Sequence, residues 1–360
     1  MAKLLNTTFL VTQSAPATPS SGFGTLFASS SKIYYKNSNG NTYDLTINGS
    51  SSYSVYTTSG TYVYNVASNI KYIKVVCIGG GGGGGTGRRD VAGVNRNGGA
   101  GGAGGNINIV HYTSESLVPG TYTITVGAGG AGGLPNAVTG TGPVGQPGGA
   151  SSFSSSAAFN FVRAPGGPGG GGGGSGTTVA NGGTNLYPAT GSTGTFNPYS
   201  LYYFAGCDGG SATLGAPIVV RGTALGGARW LAAGGAGGGL NTSNVATPGG
   251  SGSAIYSYAT LIQSGSPGST EGTSGNNGAP VIDIACLLFA SGSGITTGVK
   301  IGTGGHGGAV GNGTLSSGAG GSGSLGAGGG GGGGCLATTG LIASSGGKGG
   351  DGCVLIFEYY

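Results

Sequence analysis

The sequence predicts a mainly β protein, with a small N-terminal β module before a β-sandwich-like framework that carries packed polyglycine II strands. Helix formers are scarce, because glycine and β-branched residues occur nearly throughout the chain. Glycine makes up 92 of the 360 residues, and the glycine-rich region is entered and left through apolar, alternating segments. Charged residues are 6% and hydrophobic residues 36% of the chain. A disordered chain has the opposite balance, so we predict that the glycine is ordered.

Residues 1–50 differ in composition from the rest and predict an N-terminal module. A connector rich in proline, serine and glycine covers 15–24. Short runs of apolar and β-branched residues follow it and predict three strands, at 25–28, 32–36 and 42–45. Three short strands cannot enclose a core. We therefore expect this module to fold only with copies of itself or against a larger body.

Residues 51–360 are predicted to form a single domain built on a β framework. Alternating or apolar segments predict framework strands at 53–57, 61–66, 72–78, 106–112, 121–126, 159–162 and 353–359. The last of these alternates most strongly, and glycine runs adjoin both 72–78 and 353–359. These two strands are therefore expected to lie in one sheet, with the glycine segments as long excursions from one end of it.

The glycine excursions predict polyglycine II helices, which have three residues per turn and no internal hydrogen bonds. Each segment must then donate and accept sideways, and only glycine lets backbones approach closely enough to do so. A seven-residue run spans roughly 22 Å at about 3.1 Å per residue. We predict a slab with loops displayed at its far edges, built from nine segments at 79–85, 98–105, 127–133, 166–176, 226–239, 249–252, 302–308, 318–334 and 346–352.

The charge of the chain does not indicate a nucleic-acid partner. A net charge of +5 is spread over 360 residues, and we predict that no nucleic acid is bound. The densest basic cluster consists of Arg88, Arg89 and Arg96. We interpret it as a solvated loop rather than a phosphate site.

The cysteines predict neither a metal site nor a disulfide framework. Their number is odd, they are widely separated, and no CxxC pair occurs. Cys77 and Cys353 lie in apolar strands and are predicted to be small buried residues. The longest apolar stretch, 281–290, is too short to span a membrane and contains Asp283. Polar residues at 6–8 directly follow Leu4 and Leu5, so no signal peptide is predicted.

Two nucleotide-binding patterns are matched only in part, and no cofactor is predicted. Gly79, Gly81 and Gly84 have the spacing of the dinucleotide fingerprint after a strand. That fingerprint also needs a helix and an acidic residue about 20 positions later, whereas more glycine follows here and no acidic residue lies between Asp90 and Glu115. The match is a chance result of the glycine content. Similarly, the glycine after Lys348 excludes a P-loop.

Catalysis has little support in the sequence, and we predict that the protein is not an enzyme. His111 lies in a predicted strand and is interpreted as a framework side chain with satisfied hydrogen bonds. His306 interrupts a glycine run, where it would make a surface contact or a hydrogen bond to a neighbouring loop. Eight carboxylates are scattered along the chain. Because two of them could meet in space as a glycosidase pair, glycan hydrolysis stays an alternative.

Aromatic residues crowd one insertion between the glycine segments, at 186–204, and an arginine and a tryptophan stand beside another glycine run. Aromatic side chains are common platforms for sugar or protein recognition. The same residues could equally cover the edges of a slab that has few other apolar side chains. The candidate contact residues are Tyr199, Tyr202, Tyr203, Arg229 and Trp230.

Several segments together resemble the glycine-rich receptor-binding proteins of phage tail fibres and virion spikes. The resemblance rests on T-S-G-T-Y-V-Y-N-V at 58–66, on the junction K-V-V-C-I-G-G-G-G-G-G-G at 74–85, and on V-P-G-T-Y-T-I-T-V-G-A-G-G-A-G-G at 118–133. The terminal G-G-K-G-G-D-G-C-V-L-I-F-E-Y extends it to the end of the chain. Separately, 15–46 is similar to an N-terminal module common on phage fibres and spikes. Residues 177–301 carry no resemblance.

The resemblance implies a virion surface protein, made in the host cytoplasm, whose residues 1–50 bind other virion proteins. Residues 51–360 would form the distal receptor-binding domain, and the protein would assemble with itself as a homotrimer. A host surface glycan or an outer-membrane protein would be the receptor. The alternatives left open are a structural capsid or tail decoration protein without a receptor role, and a virion-associated glycan hydrolase.

Overall fold

A computed structural model describes most of the chain, and the described residues form β strands and no helix. The chain separates into two compact units, one of Met1–Ser51 with Tyr359–Tyr360 and one of Ser52–Glu358. The prediction of a mainly β protein is confirmed. The described residues are 16–21, 23–29, 32–44, 51–113, 119–155, 161–175, 183, 200–204, 206–213, 216–217, 231–253, 255–257, 260–262, 271–283 and 298–360.

The first unit contains an antiparallel sheet of three strands, β1 (Gly24–Ser29), β2 (Lys32–Asn37) and β3 (Thr42–Asp44), in that order. Phe27 is its buried side chain and stacks on Tyr34, with ring centroids 5.3 Å apart. The Asn37 side chain accepts from the backbone amides of Asn39 and Asn41 and so closes the turn before β3. The three strands lie where the sequence predicts them.

The second unit contains a five-stranded and a four-stranded sheet, in the orders β12-β8-β6-β20-β4 and β11-β10-β9-β5. As predicted, the last strand lies beside the strand that leads into the first glycine run. The remaining strands form small two-stranded sheets among the glycine segments. The strands are β4 (Ser51–Tyr56), β5 (Gly60–Val66), β6 (Tyr72–Ile78), β7 (Arg89–Asp90), β8 (Ile107–Thr113), β9 (Gly120–Val126), β10 (Ser151–Ser155), β11 (Phe161–Ala164), β12 (Ser200–Phe204), β13 (Ala212–Thr213), β14 (Ala216–Pro217), β15 (Ile255–Ser257), β16 (Thr260–Ile262), β17 (Pro280–Asp283), β18 (Lys300–Gly302), β19 (Cys335–Leu336) and β20 (Cys353–Tyr359).

An aromatic cluster packs the two larger sheets against each other. Phe153 on β10 is fully buried and stacks on Tyr122 of β9, with ring centroids 4.6 Å apart. Tyr64 of β5 and Tyr112 of β8 approach the same ring at 6.0 and 6.5 Å. Because Tyr112 belongs to the other sheet, the Phe153 ring is the centre of the sandwich. Such aromatic pairs add roughly 0.5–1.5 kcal/mol beyond their burial.

A buried carboxylate also joins the two sheets. Glu358 on β20 accepts hydrogen bonds from the hydroxyl of Ser52 on β4 and from that of Tyr64 on β5. Burial raises the pKa of the nearby Tyr56 hydroxyl, and the negative charge of Glu358 raises that pKa further. Hydrogen bonds to an ionised acceptor are stronger than neutral ones, so Glu358 fixes the last strand to both sheets.

The glycine runs form polyglycine II strands, as the backbone hydrogen bonds of 79–88 demonstrate. Every third amide points at the same neighbouring segment, so that Gly79, Gly82 and Gly85 donate to the carbonyls of Asn106, Ala103 and Ala100. The next set, starting at Gly80, donates to 140–149, and the set starting at Gly81 donates to 347–350. A period of three is that of polyglycine II.

The carbonyls of the same segment point at three further neighbours. Amides of 167–173, 130–133 and 329–332 donate to them, again at every third residue. Segment 79–88 therefore has six neighbours and uses its backbone groups in both directions. A Cβ atom added to Gly82 would lie 2.0 Å from a carbonyl oxygen, and one added to Gly84 would also lie at 2.0 Å. No side chain fits at such a position, which explains the unbroken run of glycine.

The described residues contain thirteen such strands, more than the nine segments predicted. Residues 318–334 form two strands instead of one, separated by a turn at Gly326 with φ +69°. Segments 140–149, 206–210 and 272–278 are further strands, although other residues interrupt the glycine in each of them. Together they make a glycine slab, whose strands are 79–88, 97–106, 127–133, 140–149, 165–174, 206–210, 231–239, 247–253, 272–278, 303–311, 317–324, 326–334 and 343–352.

The spacing of glycine along a strand depends on how many other strands surround it. Like 79–88, strand 326–334 exchanges hydrogen bonds with six others, and it too contains an unbroken glycine run. Strand 140–149 instead has an exposed side, and its glycines at 142, 145 and 148 face 79–88. Pro143 and Pro147 lie on the exposed side. Proline has no amide to leave unpaired and its φ suits an extended helix, so it closes the border of the slab.

The cysteines of the described residues are free thiols. Cys77, Cys207, Cys335 and Cys353 are all buried, and Cys286 lies outside the described residues. Burial raises the pKa of the Cys77, Cys335 and Cys353 thiols. A buried thiol with a raised pKa behaves as a small apolar side chain, as predicted for Cys77 and Cys353.

Candidate functional site

The candidate contact residues from the sequence are not brought together by the described part of the chain. Tyr199, Arg229 and Trp230 lie outside the described residues. Tyr202 and Tyr203 lie in β12, at the edge of the five-stranded sheet, and pair with β8. The end of the aromatic insertion is therefore a strand and not the loop that the sequence predicted.

A second surface is formed by five loops that join consecutive glycine strands at one end of the slab. Backbone bridges connect them side by side, between Arg89 and Gly140, Arg96 and Leu240, and Gly311 and Cys335. The β7–β19 pair links the first loop to the last in parallel register. We call these the outer loops, and their residues are 89–96, 134–139, 240–246, 312–316 and 336–342.

The fully exposed residues of the outer loops are uncharged, and several of them are large and aliphatic. Four of the five loops expose a large aliphatic side chain, and Leu134 and Val138 are the most exposed at 74% and 72%. Val91, Val245 and Leu315 are the others. All residues of these loops are described, and none of the exposed ones carries a charge. Sequence reasoning missed this surface, since isolated aliphatic residues beside glycine give no periodic signal.

A buried arginine holds two of the outer loops together. Arg96 has no exposed surface, and its guanidinium donates to the carbonyl of Val91 at 3.1 Å, to that of Asn241 at 3.0 Å and to Oδ1 of Asn244 at 2.6 Å. Burial lowers the pKa of Arg96, and the charge of Asp90 acts in the opposite direction. Asn244 adopts φ +59°, a conformation that asparagine tolerates.

The other two arginines of the basic cluster also make internal contacts. Arg88 forms an ion pair with Asp90. Arg89 donates to the carbonyls of Leu341 and Thr338 at 2.8 and 2.9 Å and so binds the last outer loop. The interpretation of this cluster as a solvated loop is wrong for Arg96, which is buried, and incomplete for the other two. All three arginines fix the loops in place.

Asparagine side chains close two of the outer loops internally. Oδ1 of Asn241 accepts from the amides of Ser243 and Val245. Asn136 accepts from the amide of Val138 at 3.2 Å and donates to the carbonyl of Gly140 at 3.2 Å. Asparagine commonly stabilises turns by bonding nearby backbone. The exposed valines of these loops are thus held in defined positions.

The histidines do not match their predicted surroundings. His111 pairs with Lys74 across β6 and β8, and its Nε2 is buried without a hydrogen-bond partner, so it is not the satisfied side chain that was predicted. Burial lowers the pKa of His111, and Lys74 lowers it further. His306 is fully buried within the slab, which excludes a surface contact. Its Nδ1 accepts from the amide of Gly252, in a neighbouring glycine strand rather than a loop.

Most of the described carboxylates have structural partners. Asp351 accepts from Lys348 and from the amide of Gly129, and Glu271 accepts from the amide of Asn312. Asp90 and Glu358 are engaged as described above. Within the described ranges, no three histidine, cysteine or acidic residues are placed to hold a metal ion. In the same part of the chain, no helix has the length and hydropathy of a membrane span.

The slab and the sandwich lie within a region of the chain that matches a known family. Residues 57–360 fit the glycine-rich domain, a range that includes all thirteen glycine strands and the five outer loops. The chain belongs to the glycine-rich domain family. It has no significant sequence match among curated proteins. The matched range runs from β5 through β20, so the framework and the slab are parts of one family unit.

In this glycine-rich domain the dinucleotide-like motif has a structural explanation. Gly79, Gly81 and Gly84 lie in the central strand of the slab and donate to 97–106 and 347–350. Their amides are consumed by neighbouring carbonyls, and the strand continues to the first outer loop without a helix. The prediction that the motif arises by chance agrees with this placement.

Proposed function

We propose that the protein is a phage virion surface fibre or spike protein that binds a host-cell surface receptor through loops on its glycine-rich scaffold. The observation that carries the proposal is the contrast between the slab and its outer loops. The backbone amides and carbonyls of the slab bond to one another, whereas the outer loops expose uncharged aliphatic side chains such as Leu134 and Val138 to solvent.

A rigid scaffold that presents variable loops is a common arrangement for recognition. Exposed apolar side chains on a soluble surface are costly, so a group of them favours a binding role. The buried Arg96 supports this reading, because it gives the outer loops a fixed shape. A preorganised surface loses less entropy when it binds.

The virion assignment rests on the resemblance of the sequence to phage fibres and spikes. Under this proposal residues 1–50 bind other virion structural proteins, and the chain assembles with itself as a homotrimer. The receptor would be a host surface glycan or an outer-membrane protein, and no nucleic acid or cofactor would be bound. The protein would be made in the host cytoplasm and displayed on the virion surface.

Binding of the labelled full-length chain to susceptible host cells tests the proposal. Replacing both Leu134 and Val138 by serine should reduce binding about tenfold or more, as the loss of central apolar contacts does at other interfaces. Val144→Ser is the matched control, because Val144 is 58% exposed but lies on a glycine strand outside the outer loops. Equal binding by both variants would reject the outer loops as the recognition surface.

A second pair of variants separates the outer loops from the aromatic insertion. If Tyr202→Ala with Tyr203→Ala reduces binding while the outer-loop variant does not, recognition lies at the sheet edge. If the wild-type chain binds no host cell, a decoration role is favoured. Release of reducing sugar ends from host envelope would favour the glycan hydrolase, although the structural contacts of Asp90, Asp351 and Glu358 speak against it.

A further inference from the structure

His306 occupies an unusual place inside the glycine slab. It lies on strand 303–311, in which most other residues are glycine, and its side chain has no exposed surface. Its backbone amide donates to the carbonyl of Asn276 at 3.0 Å, in strand 272–278. The imidazole ring contacts strand 247–253, where the amide of Gly252 donates to Nδ1 at 3.4 Å. His306 therefore bonds to two strands that flank its own, to one through its backbone amide and to the other through its ring.

The hydrogen bonds of the ring fix its protonation state. Because Nδ1 accepts from Gly252, the neutral ring carries its hydrogen on Nε2. That atom is buried and has no hydrogen-bond partner among the described residues. A second proton would have to bind at Nδ1, where it would face the amide of Gly252 and abolish the bond. The positive ring would then be buried without an acceptor on either nitrogen, which is strongly unfavourable.

The strands around His306 offer no compensating charge. Its strand bonds to five others, at 231–239, 247–253, 272–278, 317–324 and 326–334, and none of them contains an acidic or basic residue. The nearest acidic residue in sequence to any of them is Glu271, which accepts from the amide of Asn312 at the outer end. No charged side chain of these five strands therefore acts on the ring.

We propose that His306 is an acid-sensitive latch, whose protonation releases strand 247–253 from the slab. In the neutral state the ring adds a further bond between this strand and strand 303–311, beside those that the amides of Gly304 and Gly307 donate to the carbonyls of Ser253 and Gly250. In the protonated state the Gly252 bond is lost and the ring must leave its buried position to reach water. The released strand continues into outer loop 240–246, so acid would loosen one part of the candidate recognition surface.

The direction of the pH effect follows from the burial of the ring. Burial lowers the pKa of His306 below its ordinary value, which is about 6.5 in an unfolded chain. The open state therefore binds the proton more tightly than the closed state. The latch is fully stable above about pH 6.5 and loses stability as the pH falls from there towards the lowered pKa. Because the open state binds one more proton, the equilibrium constant for opening rises by up to about tenfold for each unit by which the pH falls in this range.

Hydrogen exchange of the full-length chain tests the latch. We expect protection of the amides in 247–253, corrected for the intrinsic exchange rate, to fall about fivefold between pH 6.5 and 5.5. His306→Gln keeps a neutral acceptor and should remove this fall. His111→Gln should leave it unchanged, because His111 lies on β8 and is the other histidine of the chain. An equal fall in His306→Gln would overturn the proposal, as would constant protection in the wild type.

A measurement on the wild-type protein guards against a misfolded variant. With only two histidines in the chain, the ring signals of His306 and His111 can be followed separately by NMR. The latch requires the His306 ring to be protonated on Nε2 at neutral pH and to titrate below about 6.5. A ring protonated on Nδ1, or one that titrates at or above 6.5, would refute it without any substitution.

Discussion

Replacing Gly331 by alanine tests whether close backbone approach is what holds the slab together. Gly331 lies in the central strand 326–334, and an added Cβ would lie 2.0 Å from the carbonyl oxygen of Gly99. Ordinary contact of a Cβ begins at about 3.4 Å, so the two strands must separate by 3.4 − 2.0 = 1.4 Å. The amides of Gly99 and Gly102 donate to this strand at 2.8 and 2.9 Å. Both bonds would then exceed 4 Å and be lost.

The expected cost follows from these two bonds. A buried backbone group left without its partner costs about 1–3 kcal/mol, which gives roughly 2–6 kcal/mol for the pair. Alanine also lowers the conformational entropy of the unfolded chain, which stabilises the protein by about 0.4–1 kcal/mol. The net loss is about 2–5 kcal/mol, a large share of the 5–15 kcal/mol that stabilises a typical protein. Calorimetry should show a melting temperature lower by roughly 3–8 °C, because the unfolding entropy of a unit as long as Ser52–Glu358 is large.

A matched substitution isolates the steric effect. Gly239 is also buried in a glycine strand, but a Cβ added there would lie 3.1 Å from its nearest neighbour, the carbonyl oxygen of Arg96. A shift of 3.4 − 3.1 = 0.3 Å relieves that contact, so Gly239→Ala should stay within about 1 kcal/mol of the wild type. If Gly331→Ala melts within about 2 °C of the wild type, backbone contact does not limit the slab and the reasoning is wrong.

Two further substitutions probe the buried polar groups. Arg96→Met should destabilise the glycine-rich domain by about 2–4 kcal/mol, because it leaves part-buried carbonyls of two outer loops without their donor. As the control, Arg163→Met on an exposed position should change the free energy of urea unfolding by less than about 0.5 kcal/mol. Glu358→Gln should cost about 1–2 kcal/mol at pH 7, since it replaces two charge-assisted hydrogen bonds. A loss no larger in Tyr64→Phe than in a surface control would contradict the sheet-joining role of Glu358.

The framework and the kind of glycine structure could be predicted from the sequence, because local pattern determines both. Apolar, β-branched sequence places β6 and β20 correctly, although both strands are buried on both faces and the expected alternation of β20 is wrong. A run of glycine beside such a strand has no ordered form except laterally bonded polyglycine II. The pairing of β6 with β20 also followed, since the two strands adjoin the glycine from opposite ends of the chain.

The number and arrangement of the glycine strands could not be read so directly. Strand 140–149 resembles an ordinary proline-rich loop, although its glycines at 142, 145 and 148 carry the period of three. Pure glycine runs do not reveal this period, because other residues separate the glycines. The number of glycine positions that a strand needs depends on its neighbours. Each neighbouring strand that packs closely excludes side chains along one side of the polyglycine II strand.

Sequence alone thus determined that this protein is a β framework with an ordered glycine region, since propensity, alternation and the absence of a Cβ act locally. The tertiary structure alone decided which residues lie at the ends of the glycine strands and which are buried. Arg96 and His306 are polar residues among glycines, yet both are buried. Their burial depends on strands from distant parts of the chain, and those contacts leave no mark in the neighbouring sequence.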